Sequence, residues 1–453
     1  MTNSIKIAFR NTLRNKRRTL LSVLAIAIGG VASLLLGAFV SSIYYGIQTG
    51  ISKDSGHLHI HKNGFFKYGI AKVGQYDMAN YLDIIQEIKN SDTKDEISVV
   101  TPTLSIAGIV SNSYRGTSQT FMGIGLVADD QKKMQEWDGF GLNLKIQDIP
   151  FDVINDKKGL MGKGLAINLG MCEELGLDGC LKSEKNSTQE VDPEISSFAI
   201  DISSLDKSVV DIMVAPAQGA PNISSLAIAK VWQSRQKTVD DRFIAMPLEV
   251  AQSLFYGSDY KKVNTVTVQL KDVQKTGQIK QNLQKLFEIK GWNLEIITLS
   301  EFAPQFKKVL SMFGFIFIFV SLIIAVIVLF TVSNTMTMSV MERYKEIGTL
   351  RSMGLRRWGV KKYFIIEGAI IGVFGATLGV TIAYIIATTI NNSGLTWSPP
   401  SGSDEQLLIL QLTQNPMLII TVWVLLVTAS VISSFLPAKK ASNMPIIDAL
   451  RYN

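Results

Sequence analysis

The chain has 453 residues, of which 47% are hydrophobic and only 18% charged, and its net charge is +7. That positive charge is gathered into three short segments beside long apolar runs, which assigns the basic balance to membrane topology and excludes nucleic-acid binding as its cause. No G-x-x-x-x-G-K-[ST] phosphate loop and no LSGGQ-like run occurs, so the chain carries no recognisable loop of its own for cradling nucleotide phosphates.

Residues 1–18 carry six Lys or Arg and no acid. Ile5, Phe9 and Leu13 fall on one face, with Lys6, Arg10 and Arg14 on others, which predicts a cytoplasmic interfacial helix. Runs free of charge and long enough to cross about 30 Å of hydrocarbon occur at 19–52, 309–341, 368–403 and 406–438. The first is too long for a cleaved signal and reads as an uncleaved anchor. Its span is predicted over 19–44, with Tyr44 and Tyr45 in the interfacial belt. The first two runs would reach about 50 Å as helices, so their surplus is expected to project as a stalk.

Residues 45–305 form a large domain of mixed character. Alternation predicts strands at 97–100, 104–110, 120–127 and 263–270, and helical spacing predicts helices at 81–90, 247–255 and 273–287. Residues 262–299 read as strand–helix–strand, and the middle, about 126–260, reads as a second, inserted lobe. His57, His59 and His61 alternate and share one face of a strand at about 6.7 Å spacing. Two could ligate one metal, but no nearby Cys completes a site, and no metal is assigned. Cys172 and Cys180 fit either a disulfide or two buried thiols. With all three histidines together, no Ser-His-Asp set is plausible, and no catalytic residue is assigned.

The second span, 309–341, runs into Glu342-Arg343-Tyr344-Lys345-Glu346-Ile347-Gly348-Thr349-Leu350-Arg351-Ser352-Met353-Gly354. Tyr344, Ile347 and Leu350 fall at helical spacing, with Arg343, Lys345 and Glu346 in water. A charged amphipathic helix after an apolar span is an element for another protein to grip. The loop, 342–362, holds seven basic residues against two Glu. The third span is predicted over 363–390, a short extracytoplasmic loop over 391–414, the fourth span over 415–436 with Asn415-Pro416 as its start, and a tail over 437–453. Positive charge at 1–18, 342–362 and 437–453 places both termini and the loop in the cytoplasm. Gly29, Ser33 and Gly37 on the first span, and Gly368, Gly372, Gly375 and Gly379 on the third, form small-residue rows that let helices approach closely in lipid. Packing within one subunit and a dimer seam on the first span are both open. Glu367 sits near the cytoplasmic end of the third span, within snorkelling reach.

Three stretches carry a family resemblance: Ala8–Leu21 (AFRNTLRNKRRTLL), the E-R-x-x-E-I-G-x-L-R-x-M-G loop, and Leu436-Pro437-Ala438-Lys439-Lys440-Ala441 followed by Pro445 and Ala449-Leu450-Arg451. Together they resemble the FtsX/MacB-like ABC permease family. Weaker echoes lie at Gly162–Ala166 and Met246–Leu248. The resemblance implies an α-helical membrane protein with four transmembrane helices and a large α+β extracytoplasmic domain between helices 1 and 2. It implies an inner-membrane permease, paired with a second copy or paralogue, driven by an ATP-binding subunit that holds ATP and Mg. Glu342, Arg343, Tyr344, Lys345, Glu346, Ile347, Gly348, Leu350, Arg351 and Gly354 would couple to that ATPase. Ile347 and Leu350 would enter its groove, with Glu342, Arg343 and Glu346 at the rim. A periplasmic adaptor, an outer-membrane channel and membrane lipid are further expected partners, and the substrate would be an amphipathic lipoprotein, peptide, lipid or drug. An FtsX-like signalling subunit that switches an outside partner without moving cargo is the alternative.

Overall fold

Each apolar run becomes one long helix: Lys16–Ser55, Pro304–Glu342, Arg357–Ser393 and Pro416–Asn443. The computed structural model describes residues 16–69, 74–151, 157–177, 207–216, 220–232, 237–257, 261–302, 304–397 and 406–445. These divide into a helical unit and a mixed α/β unit, the latter spanning 46–304 with 397–406. The predicted N-terminal interfacial helix lies outside the described residues.

In the helical unit the small residues set the packing. A Cβ at Gly375 would sit 2.7 Å from Ile26, and one at Gly379 would sit 2.9 Å from the Ala27 carbonyl, so the third helix lies directly against the first. Gly368 and Gly372 face Ser434 and Ser430 of the fourth helix, and Ser430 Oγ donates to the Gly368 carbonyl at 2.8 Å. On the first helix Gly29 meets Ile324 of the second, and Gly37 meets Phe317 and Leu418. Ser33 is buried. Close approach gains dispersion contacts where hydrophobic burial cannot drive association. The glycines of both rows thus pack against helices of the same chain.

Asn415 caps the fourth helix, its Oδ1 accepting from Leu418 N–H at 3.3 Å, and Pro416 fills the first turn. The helix then runs through Pro437 to Asn443, past the tail boundary that the sequence suggests. An interior proline costs about 3 kcal/mol. Burial of Ala438 and Ala441 against Val360 and Phe364 of the third helix offsets that cost.

The α/β unit is built on nine strands: β1 (Leu58–Lys62), β2 (Ile97–Asn112), β3 (Thr117–Leu126), β4 (Lys158–Gly162), β5 (Val209–Val214), β6 (Asn222–Trp232), β7 (Phe243–Pro247), β8 (Thr265–Leu270) and β9 (Leu294–Thr298). Strand β2 serves two sheets. Its first half pairs with β8 in the antiparallel order β2-β8-β1-β9. Leu58, Ile60, Val266 and Val268 face a core with Ile84 and Ile88 of the Tyr81–Asn90 helix and Ile279, Leu283 and Phe287 of the Thr276–Ile289 helix. Its second half pairs with both β3 and β5, and the ring β2-β3-β7-β4-β6-β5 closes into a six-stranded barrel with no free edge. The barrel therefore begins near Leu104, earlier than the inserted lobe read from sequence. The two strands predicted at 97–100 and 104–110 are one: the fixed φ of Pro102 is compatible with extended chain, and β2 continues through it opposite Val266.

The end of the first long helix is also tied down. The carbonyls of Ser52 and Lys53 would be orphans of its last turn. Ser52 O accepts from Gln269 Nε2 at 3.0 Å, and Lys53 O from Gln131 Nε2 at 3.0 Å.

Candidate functional site

The second long helix stops at Glu342 because Arg343 leaves helical geometry, at φ −107° and ψ 17°. A short helix, Tyr344–Ser352, follows. It closes on Gly354, whose φ of +95° suits only glycine among common residues. Leu355 N–H donates to the Leu350 carbonyl at 3.0 Å and Gly354 N–H to that of Arg351 at 3.1 Å, the paired bonds of a Schellman ending. The M-G that ends the sequence motif is this stop.

Three arginines fasten the hairpin to the other helices of its own unit. Arg18 of the first helix forms an ion pair with Glu342. Arg343 reaches Glu367 of the third helix through Nη1 at 3.2 Å and Nη2 at 3.5 Å, and both side chains are only 7% exposed. Arg351 donates to the carbonyl of Met444, where the fourth helix ends. Beneath them Ile347, 5% exposed, joins Val340, Val360, Phe364, Ala438 and Ala441, with Tyr344 packed at the edge. Gly348 is buried on the same face.

Two expected roles are thereby corrected. Ile347 points into its own chain and cannot enter a groove on another protein, because Tyr344, Ile347, Gly348 and Arg351 make up the stripe that meets the third and fourth helices. Arg343 is not a rim charge, since it is buried against Glu367, whereas Glu342 stays exposed beside Arg18. What faces outward is Leu350 at 47%, Met353 at 79% and Trp358 at 67% exposure, beside exposed Lys345, Glu346, Arg356 and Arg357. Met353 and Trp358 escape a reading by helical period because they lie beyond the short helix. Arg343's partner had a signal in the sequence: an acid inside an apolar span, Glu367, calls for a cation.

The remaining candidates are structural. His57, His59 and His61 are all buried. Leu270 N–H donates to His57 Nδ1 at 3.1 Å, whereas His61 Nδ1 donates to the Asn264 carbonyl at 2.8 Å, so the two neutral rings hold opposite tautomers. The His59 and His61 rings stack at 6.2 Å, and His61 stacks on Phe65 at 4.6 Å. Burial pushes His57 and His61 down to about 4, and burial with neighbouring imidazoles pushes His59 to about 3. Among the described residues no three metal-ligating side chains converge. The Gly162-Lys163-Gly164 backbone is occupied by a carboxylate: Asp240 accepts from Lys163 N–H at 3.2 Å and Gly164 N–H at 2.7 Å. Cys172 is disulfide-bonded, and Cys180 lies outside the described residues.

The hairpin and the helices it joins match a known family. The model of the FtsX-like permease C-terminal domain covers residues 315–446, which contain the whole hairpin and the third and fourth helices. Over these residues the chain is similar to FtsX-like permeases. An uncharacterized ABC transporter permease of Methanocaldococcus jannaschii is 27% identical over 230 residues, 47% of this chain and 51% of that protein. ABC transporter permease YtrF of Bacillus subtilis is 28% identical over 203 residues, covering 38% and 46%. Macrolide export ATP-binding/permease protein MacB of Escherichia coli is 24% identical over 195 residues, covering 42% and 27%. The chain thus spans about half or less of the length of these curated relatives.

Proposed function

We propose that this permease subunit carries the motion of a separate ATP-binding subunit, which holds ATP and Mg, to the α/β unit on the far side of the membrane, there extruding or releasing an amphipathic substrate. One observation carries this reading. The hairpin shows an apolar, basic-rimmed surface of Leu350, Met353 and Trp358 while its back is bound to all three other long helices. A surface that only stopped translocation would need neither those apolar side chains nor that fastening. A push on the exposed side would move the first, third and fourth helices together with the second. In this reading the hairpin and both termini face the cytoplasm and residues 46–304 lie outside it, at the inner membrane of a bacterial cell. The excess of Lys and Arg in the terminal segments and the hairpin supports that orientation. A second copy or a paralogue would complete the permease pair, and an adaptor with an outer-membrane channel would serve export. The apolar middles of the four helices leave no wide aqueous path, which favours mechanical transmission over conduction.

The test is co-purification from mild detergent. Wild-type permease is expected to bring an ATP-binding subunit, and Leu350→Asp and Met353→Asp to lose it, because each would bury an unpaired carboxylate at the contact. Undiminished co-purification in both variants would sink the docking role.

A further inference from the structure

We propose that a groove between the second, third and fourth long helices, at the hairpin end of the bundle, binds an anionic phospholipid. The groove has a volume of about 300 Å³ and is lined by Leu329, Ile365, Ile432, Phe435 and Leu436 with Ser433. Its serine is already satisfied, with Oγ donating to the Leu329 carbonyl at 2.5 Å. The groove thus offers hydrocarbon contact and no free hydroxyl. Ile432, Phe435 and Leu436 are exposed along it.

Charge identifies the occupant. Lys361 lies one turn before Ile365 on the third helix, with Lys362 beside it. On the fourth helix Lys439 lies four residues after Phe435, and Lys440 four after Leu436, so each shares a face with a groove residue. The third helix leaves the hairpin and the fourth returns towards it, which brings both lysine pairs to the same end of the bundle. None of the four forms an ion pair with a described residue, while the one acid near them in the third helix, Glu367, is matched by Arg343. An apolar slot within the hydrocarbon layer, ending in four cations at the interface, complements acyl chains joined to a negative headgroup. A second copy is a poor occupant, since at the same membrane depth it would bring the same lysines. The inference rests on the four helices crossing a bilayer and is independent of the transport reading above.

The test is native mass spectrometry of the delipidated full chain, offered equal amounts of phosphatidylglycerol and phosphatidylcholine with identical acyl chains. Phosphatidylglycerol adducts are expected to exceed phosphatidylcholine adducts about tenfold. The variant K361Q/K362Q/K439Q/K440Q should bring that ratio to about one, and Ile432→Trp, which fills the slot, should reduce both adducts together. Equal adducts on the wild-type chain would overturn the proposal without reference to any variant. So would a preference that the four glutamines leave intact, or a dimer whose formation displaces both lipids.

Discussion

Replacing Arg343 with alanine would strand the Glu367 carboxylate inside the bundle. The pair has one contact of 3.2 Å and a second at 3.5 Å, and neither side chain is more than 7% exposed. Only the shorter contact is a good hydrogen bond. Breaking a buried pair by removing one partner costs about 3–5 kcal/mol, and with one strong bond the lower end, about 3 kcal/mol, is expected here. An exposed pair would have cost under about 1 kcal/mol. The assay is equilibrium unfolding of the full chain in mixed micelles, comparing wild type, Arg343→Met, Glu367→Met and the double variant. Each single change should be strongly destabilising, and the double variant should recover most of the loss, because two apolar side chains can replace a buried pair at little cost. A coupling energy of about 2 kcal/mol or more is expected from the cycle. A value within about 0.5 kcal/mol of zero would refute the buried, mutually dependent pair.

Ile347→Asp should destabilise the permease itself by several kcal/mol, since it buries a carboxylate in an apolar cluster, whereas Leu350→Asp should leave its unfolding midpoint unchanged. Gly354→Ala should cost about 1–2 kcal/mol through the left-handed φ it must keep, read as increased hydrogen exchange of the Leu355 amide. The three histidines have folded pKa values of about 4, 3 and 4, against an unfolded value near 6.5. The unfolded chain therefore binds more protons in that window, and stability of the α/β unit, full above pH 6.5, should fall as pH drops towards about 4. The slope is roughly 1.4 kcal/mol per pH unit for each histidine, and replacing all three with asparagine should flatten it in urea titrations. Intact mass after thiol blocking without reductant should show no alkylated cysteine, and reduction should cost about 2–4 kcal/mol of α/β-unit stability; two added blocking groups would rule out the bridge.

Composition makes the four helices legible, because a helix needs about 20 apolar residues to cross about 30 Å of hydrocarbon. Local spacing also located the Tyr81–Asn90 and Thr276–Ile289 helices and strand β9. The short helix of the hairpin was visible too, but not its facing. Period alone groups Tyr344, Ile347 and Leu350 on one stripe. Which part of that stripe is buried depends on Val360, Phe364 and Ala438, supplied by helices that sequence reading cannot place in space. The same gap hid the Arg343–Glu367 pair, 24 residues apart, and the Arg18–Glu342 pair. Strand β2 reads locally as two pieces, 97–100 and 104–110, and it is cross-strand pairing on both sides, to β8 and to β3, that makes them one. Alternation brings the histidines to one face, and there the His59 and His61 rings stack in parallel while His57 packs edge-on to Trp137.

Photo-crosslinking in cells tests the docking surface most directly. A benzophenone amino acid would be placed singly at Leu350, Met353, Trp358 and Ile347 of the full chain. Positions 350, 353 and 358 are expected to capture an ATP-binding subunit, and position 347 to capture only segments of the permease itself. Capture of the ATP-binding subunit from 347, or of none from the three exposed positions, would contradict the hairpin as the coupling element.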